Sequence, residues 1–286
     1  MKYYITFFII IFTTSVESYP KILTIKENSN YLLVNEKSLP IIDINILFNF
    51  GSKNDLSQKG ITNFSLELLH QQKYKNKKFI NTFEEIGAQF SSSVSRESTS
   101  ISIRFINTEK NLTIISSMLG KMLSNKDISN ETFELTKESI LKNIKARELD
   151  PSSILSYKSN EEYFSNTNLS HPINGYEQNI IKISIDDIKQ HLISLITQNG
   201  IKVSFVGDID NSQAANFISN LLVDIPNDHK KIVDTELNNL NVASKTINFK
   251  HDSEQTHISI MIPAVTREDD DFYNLLVANY IFGGSG

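Results

Sequence analysis

The residues that could do chemistry are six histidines, His70, His171, His191, His229, His251 and His257, and a few carboxylate and hydroxyl groupings. Glu67 and His70 stand three apart in an apolar-periodic stretch. A helix puts them on one face, where a carboxylate and an imidazole can chelate a cation, although such a pair is more often a solvated or hydrogen-bonded contact. No two histidines stand four apart on a helical stretch, so a displaced two-histidine zinc motif is not available. Ser91-Ser92-Ser93 offers hydroxyl nucleophiles, but the sequence puts no histidine near it, so nucleophilic catalysis is not expected. Glu84-Glu85 and Asp269-Asp270-Asp271 read as solvated charge runs near helix starts, where the helix dipole favours them. Asn111-Leu112-Thr113 and Asn168-Leu169-Ser170 fit glycosylation sequons, a match that an Asn-rich chain produces by chance.

These groups must be positioned by alternating strands and helices. Ile61, Phe64, Leu68 and Leu69 fall at i, i+3, i+7 and i+8, the buried stripe of a helix that Gly60 opens. Strands are expected at 22–27, 30–35 and 41–50, followed by a polar loop at 52–59 and, after the Gly60 helix, a helix at 80–87. A hairpin of 88–96 and 99–105 comes next, then a helix at 110–123. A long amphipathic helix over 129–148 turns Phe133, Ile140, Leu141 and Ile144 inward and stops at Asp150-Pro151. Residues 151–168 read as polar helix or loop, 171–175 as a turn, 185–196 as a helix, 201–206 as a buried strand and 213–223 as a helix. The polar run 227–244 is the expected linker. A β-rich segment over 245–262 and a helix over 270–282 complete the sequence.

With 286 residues, 40% hydrophobic and 21% charged, the chain can bury a real core. A net charge of -5 gives no basic field for nucleic acid, so no nucleic-acid partner is expected. Residues 1–18, one lysine, a short apolar run and a small-residue exit, read as a signal peptide; the alternative is a membrane-anchored N-terminus. A periplasmic or secreted location follows, with no membrane contact after signal removal. The absence of cysteine excludes disulfides and a lipid anchor at cysteine.

Several short runs then support a family. Phe50-Gly51-Ser52-Lys53-Asn54 and Gly60-Ile61-Thr62 come first. Phe83-Glu84-Glu85-Ile86-Gly87-Ala88 with Ser91-Ser92-Ser93 follows, and His171-Pro172 with Gly175 and Val206-Gly207-Asp208-Ile209-Asp210 come later. In order and spacing these resemble the insulinase and mitochondrial-processing-peptidase family of zinc peptidases, peptidase family M16, over residues 22–286. The segment from Gln255-Thr256-His257-Ile258 to Gly283-Gly284 resembles the start of the family's second, homologous domain. The resemblance implies an α+β fold, each domain a mostly antiparallel sheet packed by helices. Its division is a signal peptide at 1–18, an N-terminal-type domain at 19–226, a linker at 227–244 and the beginning of a C-terminal-type domain at 245–286. A strand and helix of about 40 residues fall below the size that folds alone, so a fragment or a shortened gene is expected.

Active members of that family hold zinc with His-x-x-Glu-His on one helix and a Glu from a later helix, the Glu of the motif acting as general base. Three protein ligands leave a position for water, which the metal acidifies. By resemblance the first His position is Asn63, the base is Leu66, the second His is Glu67 and the later Glu is Asn143. Amides at Asn63 and Asn143 are poor zinc ligands, one carboxylate does not hold the ion, and Leu66 takes no proton. The expectation is therefore no catalytic residue, no metal ligand and no zinc cofactor. Several family members work as unequal pairs in which a silent subunit completes the substrate chamber. The resemblance thus implies a non-catalytic subunit that binds peptide or unfolded protein and pairs with a sibling carrying an intact His-x-x-Glu-His. Gly283 and Gly284 fall where a substrate-binding glycine-rich loop would begin, or they simply stop a helix. The alternatives are a stand-alone peptide-binding module, a truncated product without function, and a residual metalloendopeptidase.

Overall fold

The computed structural model describes residues 22–23, 31–226 and 244–284. The signal peptide expected at 1–18 and all of the expected linker except Ser244 lie outside the described residues. So do most of the strand expected over 22–27, of which β1 (Ile22–Leu23) is described, and the first residue of the strand expected over 30–35, which is β2 (Tyr31–Asn35).

Strict alternation makes β3 (Ile41–Phe48): Ile42, Ile44, Ile46 and Phe48 are buried, while Asp43, Asn45 and Leu47 face the other way. The helix α1 (Ile61–Gln71) follows, then a small hairpin of β4 (Lys73–Tyr74) and β5 (Lys77–Lys78) that periodicity does not reveal, and α2 (Phe79–Glu85). The hairpin of β6 (Gln89–Val94) and β7 (Thr99–Ile106) again alternates, with Thr99, Ile101, Ile103 and Phe105 buried. Four helices come next: α3 (Glu109–Ser124), α4 (Asn130–Arg147), α5 (Pro151–Tyr163) and the single turn α6 (Glu177–Ile180). Then α7 (Ile185–Leu195), β8 (Ile201–Gly207) and α8 (Asn211–Leu222) complete the layer, and α9 (Phe272–Asn279) stands near the C-terminus. Side-chain caps explain where many helices start. Thr108, Ser129, Asp150, Ser184 and Asp210 each accept the backbone N–H three residues on.

The six-stranded sheet has the order β1-β2-β8-β3-β7-β6, antiparallel at every pairing except β2 with β8. Its inner face shares one apolar core with α1, α2, α3, α4, α7 and α8. Each fully buried Ile or Phe there contributes roughly 1.5–3 kcal/mol of burial. The outer face carries Asp43, Asn45, Ser102 and Arg104 and lines a shallow trough of about 400 Å³. There Arg104 donates to both carboxylate oxygens of Asp43 at 2.6 and 2.8 Å, and Asn45 donates to Ser102 at 2.8 Å. The fold is thus the α+β arrangement expected, with one parallel neighbour in its sheet.

Two readings of the sequence are corrected. Residues 245–262 form no strand. Their alternating Ile258, Ile260 and Ile262 are 78%, 84% and 75% exposed. A strand is defined by a neighbour to pair with, and none of the described strands pairs with this segment. The helix expected over 270–282 is α9 followed by a wider turn at Tyr280–Gly284.

Candidate functional site

The start of α1 is held by buried polar groups rather than by its own cap. Gly60 sits at φ +96°, and Gly175 approaches it so closely that a Cβ at Gly175 would lie 2.1 Å from the Lys59 carbonyl oxygen. Both positions accept only glycine. Asp55, buried, accepts the N–H groups of Gly60 at 2.7 Å and Thr62 at 3.1 Å, and the Thr62 hydroxyl at 2.5 Å. Two of the orphan amides of the helix start are thereby satisfied. Thr62 Oγ1 also lies 2.9 Å from His191 Nε2, reached from α7. Burial pushes the Asp55 carboxyl up to about 7, against the pull of its Thr62 and Gly60 hydrogen bonds, and pushes His191 down to about 4. His171, also buried, faces the Ser52 and Pro172 carbonyls and stands 4.0 Å from Asp55. Burial lowers its pKa although those acceptors favour the charged ring.

The four positions singled out by resemblance lie on two helices that touch. Phe64 of α1 stacks on Phe133 of α4, ring centroids 5.2 Å apart. Asn63 is half-buried, Leu66 is buried in the apolar core, and Glu67 and Asn143 are exposed. Among the described residues none of Asn63, Glu67 and Asn143 makes a hydrogen bond or ion pair with another. Partial burial lifts the Glu67 carboxyl above the usual carboxylate range. Two amides, one carboxylate and a leucine side chain in the core do not fit a zinc ion with an activated water. Nor, among the described residues, does any group of three or more His, Asp or Glu side chains form a metal-holding cluster. Gly283 has no described atom within 4 Å of a Cβ built on it, and its φ of 176° is ordinary extended backbone. Gly284 ends the same turn.

One expectation about the serines is overturned. His70, from the last turn of α1, places Nε2 2.6 Å from Ser92 Oγ, and its ring meets Phe90 edge-on at 5.4 Å. The pairing is invisible in the sequence because β4, β5 and α2 intervene, and only the packing of α1 against β6 closes the distance. Burial lowers the His70 pKa, so the ring is neutral at pH 7.

Among the described strands the sheet ends at β6, and the direction of its peptide groups follows from the register. Asp208 donates to the Ile41 carbonyl at 3.0 Å, Asn107 to the Pro40 carbonyl at 2.8 Å, and Ser95 to the Ser98 carbonyl at 2.8 Å. In an antiparallel ladder, neighbouring residues of a strand turn their N–H and C=O to opposite sides. Carried through the pairings of β8, β3, β7 and β6, these three bonds agree. Gln89, Ser91 and Ser93 bond to β7, while Phe90, Ser92 and Val94 turn N–H and C=O outward. Among the described residues the site is therefore an unpaired strand edge beside the partly buried last turn of α1.

The comparisons with known proteins bear on the family and the fold. The family described as Insulinase (Peptidase family M16) matches residues 31–176, and the Peptidase M16 inactive domain matches 182–286. The "Uncharacterized zinc protease YmxG" of Bacillus subtilis is 20% identical over 92% of this chain and 63% of its own length. The "Non-peptidase homolog YmxG" of Helicobacter pylori is 22% identical over 86% of this chain and 57% of its own. The chain thus spans about three fifths of the length of these relatives. The crystal structure of a peptidase M16 inactive domain from Pseudomonas fluorescens superposes with a TM-score of 0.65 at 16% identity, covering 69% of this chain and 48% of that one. The match over more than half of its length makes this chain a member of the M16 (insulinase) peptidase family.

Proposed function

We propose that this protein is a peptide-binding subunit, silent as a zinc peptidase, that works beside a catalytic M16 sibling. The observation that carries the reading is the open edge of β6, where Phe90, Ser92 and Val94 present three outward peptide groups. An extended peptide adds to such an edge by main-chain pairing, with little demand on its sequence, which suits unfolded protein. The edge lies against α1, whose Asn63, Leu66 and Glu67 cannot run zinc hydrolysis, so a docked peptide is held and not cut by a metal. A relative described as a non-peptidase homolog supports the same direction. The periplasmic or secreted location rests on residues 1–18, and the sibling on the pairing habit of the family that the sequence resembles.

The test is titration of a labelled, unstructured peptide into the protein in the presence of EDTA, with the Ser92→Pro variant alongside. Proline at 92 removes an outward N–H but no bond to β7, so binding is expected to fall at least tenfold with folding retained. Undiminished binding by this variant counts against the edge. Co-expression with an intact His-x-x-Glu-His sibling is expected to give a one-to-one complex; a monomer at micromolar concentration of both chains refutes the pairing.

A further inference from the structure

His70 and Ser92 have the geometry of a nucleophile and its base at the β6 edge, where a chain would dock. The Ser92 hydroxyl lies 2.6 Å from His70 Nε2. With the imidazole proton on Nδ1, Ser92 donates to Nε2, the hydrogen bond through which a general base takes a serine proton. The edge-on Phe90 ring holds the imidazole from the side, and the ring is set in the last turn of a helix rather than in a loop. The outward peptide N–H of Ser92 itself points to the open edge, so an acyl oxygen seated there meets a donor beside the nucleophile. The arrangement needs none of the degenerate metal positions.

We propose that Ser92 and His70 form a metal-independent acyl-transfer pair, acting on carboxylic esters or comparably activated acyl groups presented at the β6 edge. The Ser92 Oγ lone pair forms the bond to the acyl carbon, and its proton passes to His70 Nε2. The alcohol leaves with that proton as the carbonyl reforms. Water then attacks the acyl-serine, gives its proton to His70, and the acid departs as Ser92 takes the proton back. Esters rather than amides are the substrate class, because among the described residues no carboxylate bonds to His70 Nδ1 and an amine is a far poorer leaving group than an alkoxide.

Delivery of a peptide ester rests on the edge-docking reading above, but the chemistry is testable without it. A small fluorophosphonate probe reacts with an activated serine and needs no strand pairing. Incubated with the full chain, it is expected to give one adduct, located on Ser92 by peptide mass mapping and absent in Ser92→Ala. Ser93→Ala, on the opposite side of the strand, is expected to label at the wild-type rate. His70→Ala is expected to slow labelling about 100-fold, with partial recovery on adding imidazole. A merely structural histidine would not be rescued in this way. No adduct on Ser92, or labelling of Ser92 at the same rate in His70→Ala, overturns the proposal, and either result leaves the edge titration standing on its own.

Discussion

The rings of Phe64 and Phe133 stack 5.2 Å apart with 21° between their planes, and so clamp α1 to α4. By the resemblance noted in the sequence, the metal of a zinc peptidase of this family would fall between these two helices. Here the bridge is apolar, since Phe64 and Phe133 are 0% and 4% exposed, and Ile140 and Ile144 of α4 are buried in the same core. Phe133→Ala removes the stack and opens a cavity. We expect it to cost about 3–5 kcal/mol in a denaturant melt, whether or not zinc is present.

The buried Asp55, Thr62 and His191 chain makes a signed prediction about pH. A carboxyl whose folded pKa is raised, here from 3.8 to about 7, binds more protons folded than unfolded. Its contribution is complete below pH 4 and is lost as pH rises through 7. His191, lowered from 6.5 to about 4, does the reverse: its contribution is present above 6.5 and is lost as pH falls through 4. Between pH 4 and 6.5 the two slopes oppose each other. Asp55→Asn removes one of them, so the stability gap between wild type and variant is expected to narrow by up to about 1.4 kcal/mol per pH unit from pH 4 to 7. His191→Gln is expected to move the gap the other way, widening it with pH from 4 to 6.5. Urea melts across that range check both, and parallel curves for wild type and variants contradict the coupling.

The metal site that the resemblance places on α1 and α4 can be built into this chain as a check. Leu66→Glu alone puts an unpartnered carboxyl at a 4% exposed position and is expected to cost about 2–4 kcal/mol. Combining it with Asn63→His, Glu67→His and Asn143→Glu supplies three ligands and a base on helices already packed together. Zinc is expected to stabilise that quadruple variant and to leave the wild-type melting temperature unmoved. Equal stabilisation of both by zinc would show that the wild-type side chains hold the metal after all.

What could be read from the sequence was whatever is local. The alternation of β3 and β7, the stripe of α1 and the inward Phe133, Ile140 and Ile144 are each written in consecutive residues and appear in the structure. α5 stayed ambiguous because it buries no residue and has no apolar stripe; its real signal was Asp150 as cap with Pro151 in the first turn, which read equally as the end of α4. Residues 245–262 alternate like a strand, but alternation cannot say whether a partner strand is at hand. The His70–Ser92 and Thr62–His191 contacts join residues 22 and 129 apart, so only the packed fold brings them together, whereas Asp55 and Thr62 stand seven apart. The one hint of the latter was a carboxylate five residues before a helix-opening glycine, at Asp55 and Gly60.

The most direct measurement is residue-resolved amide hydrogen exchange of the β6 hairpin, with and without a saturating unstructured peptide. Gln89, Ser91 and Ser93 donate to β7 and are expected to exchange slowly in both states. Phe90, Ser92 and Val94 are expected to exchange fast alone and to slow at least tenfold with peptide bound, giving an every-other-residue pattern that only strand addition produces. Peptide binding that leaves those three amides unchanged would contradict the edge-docking account.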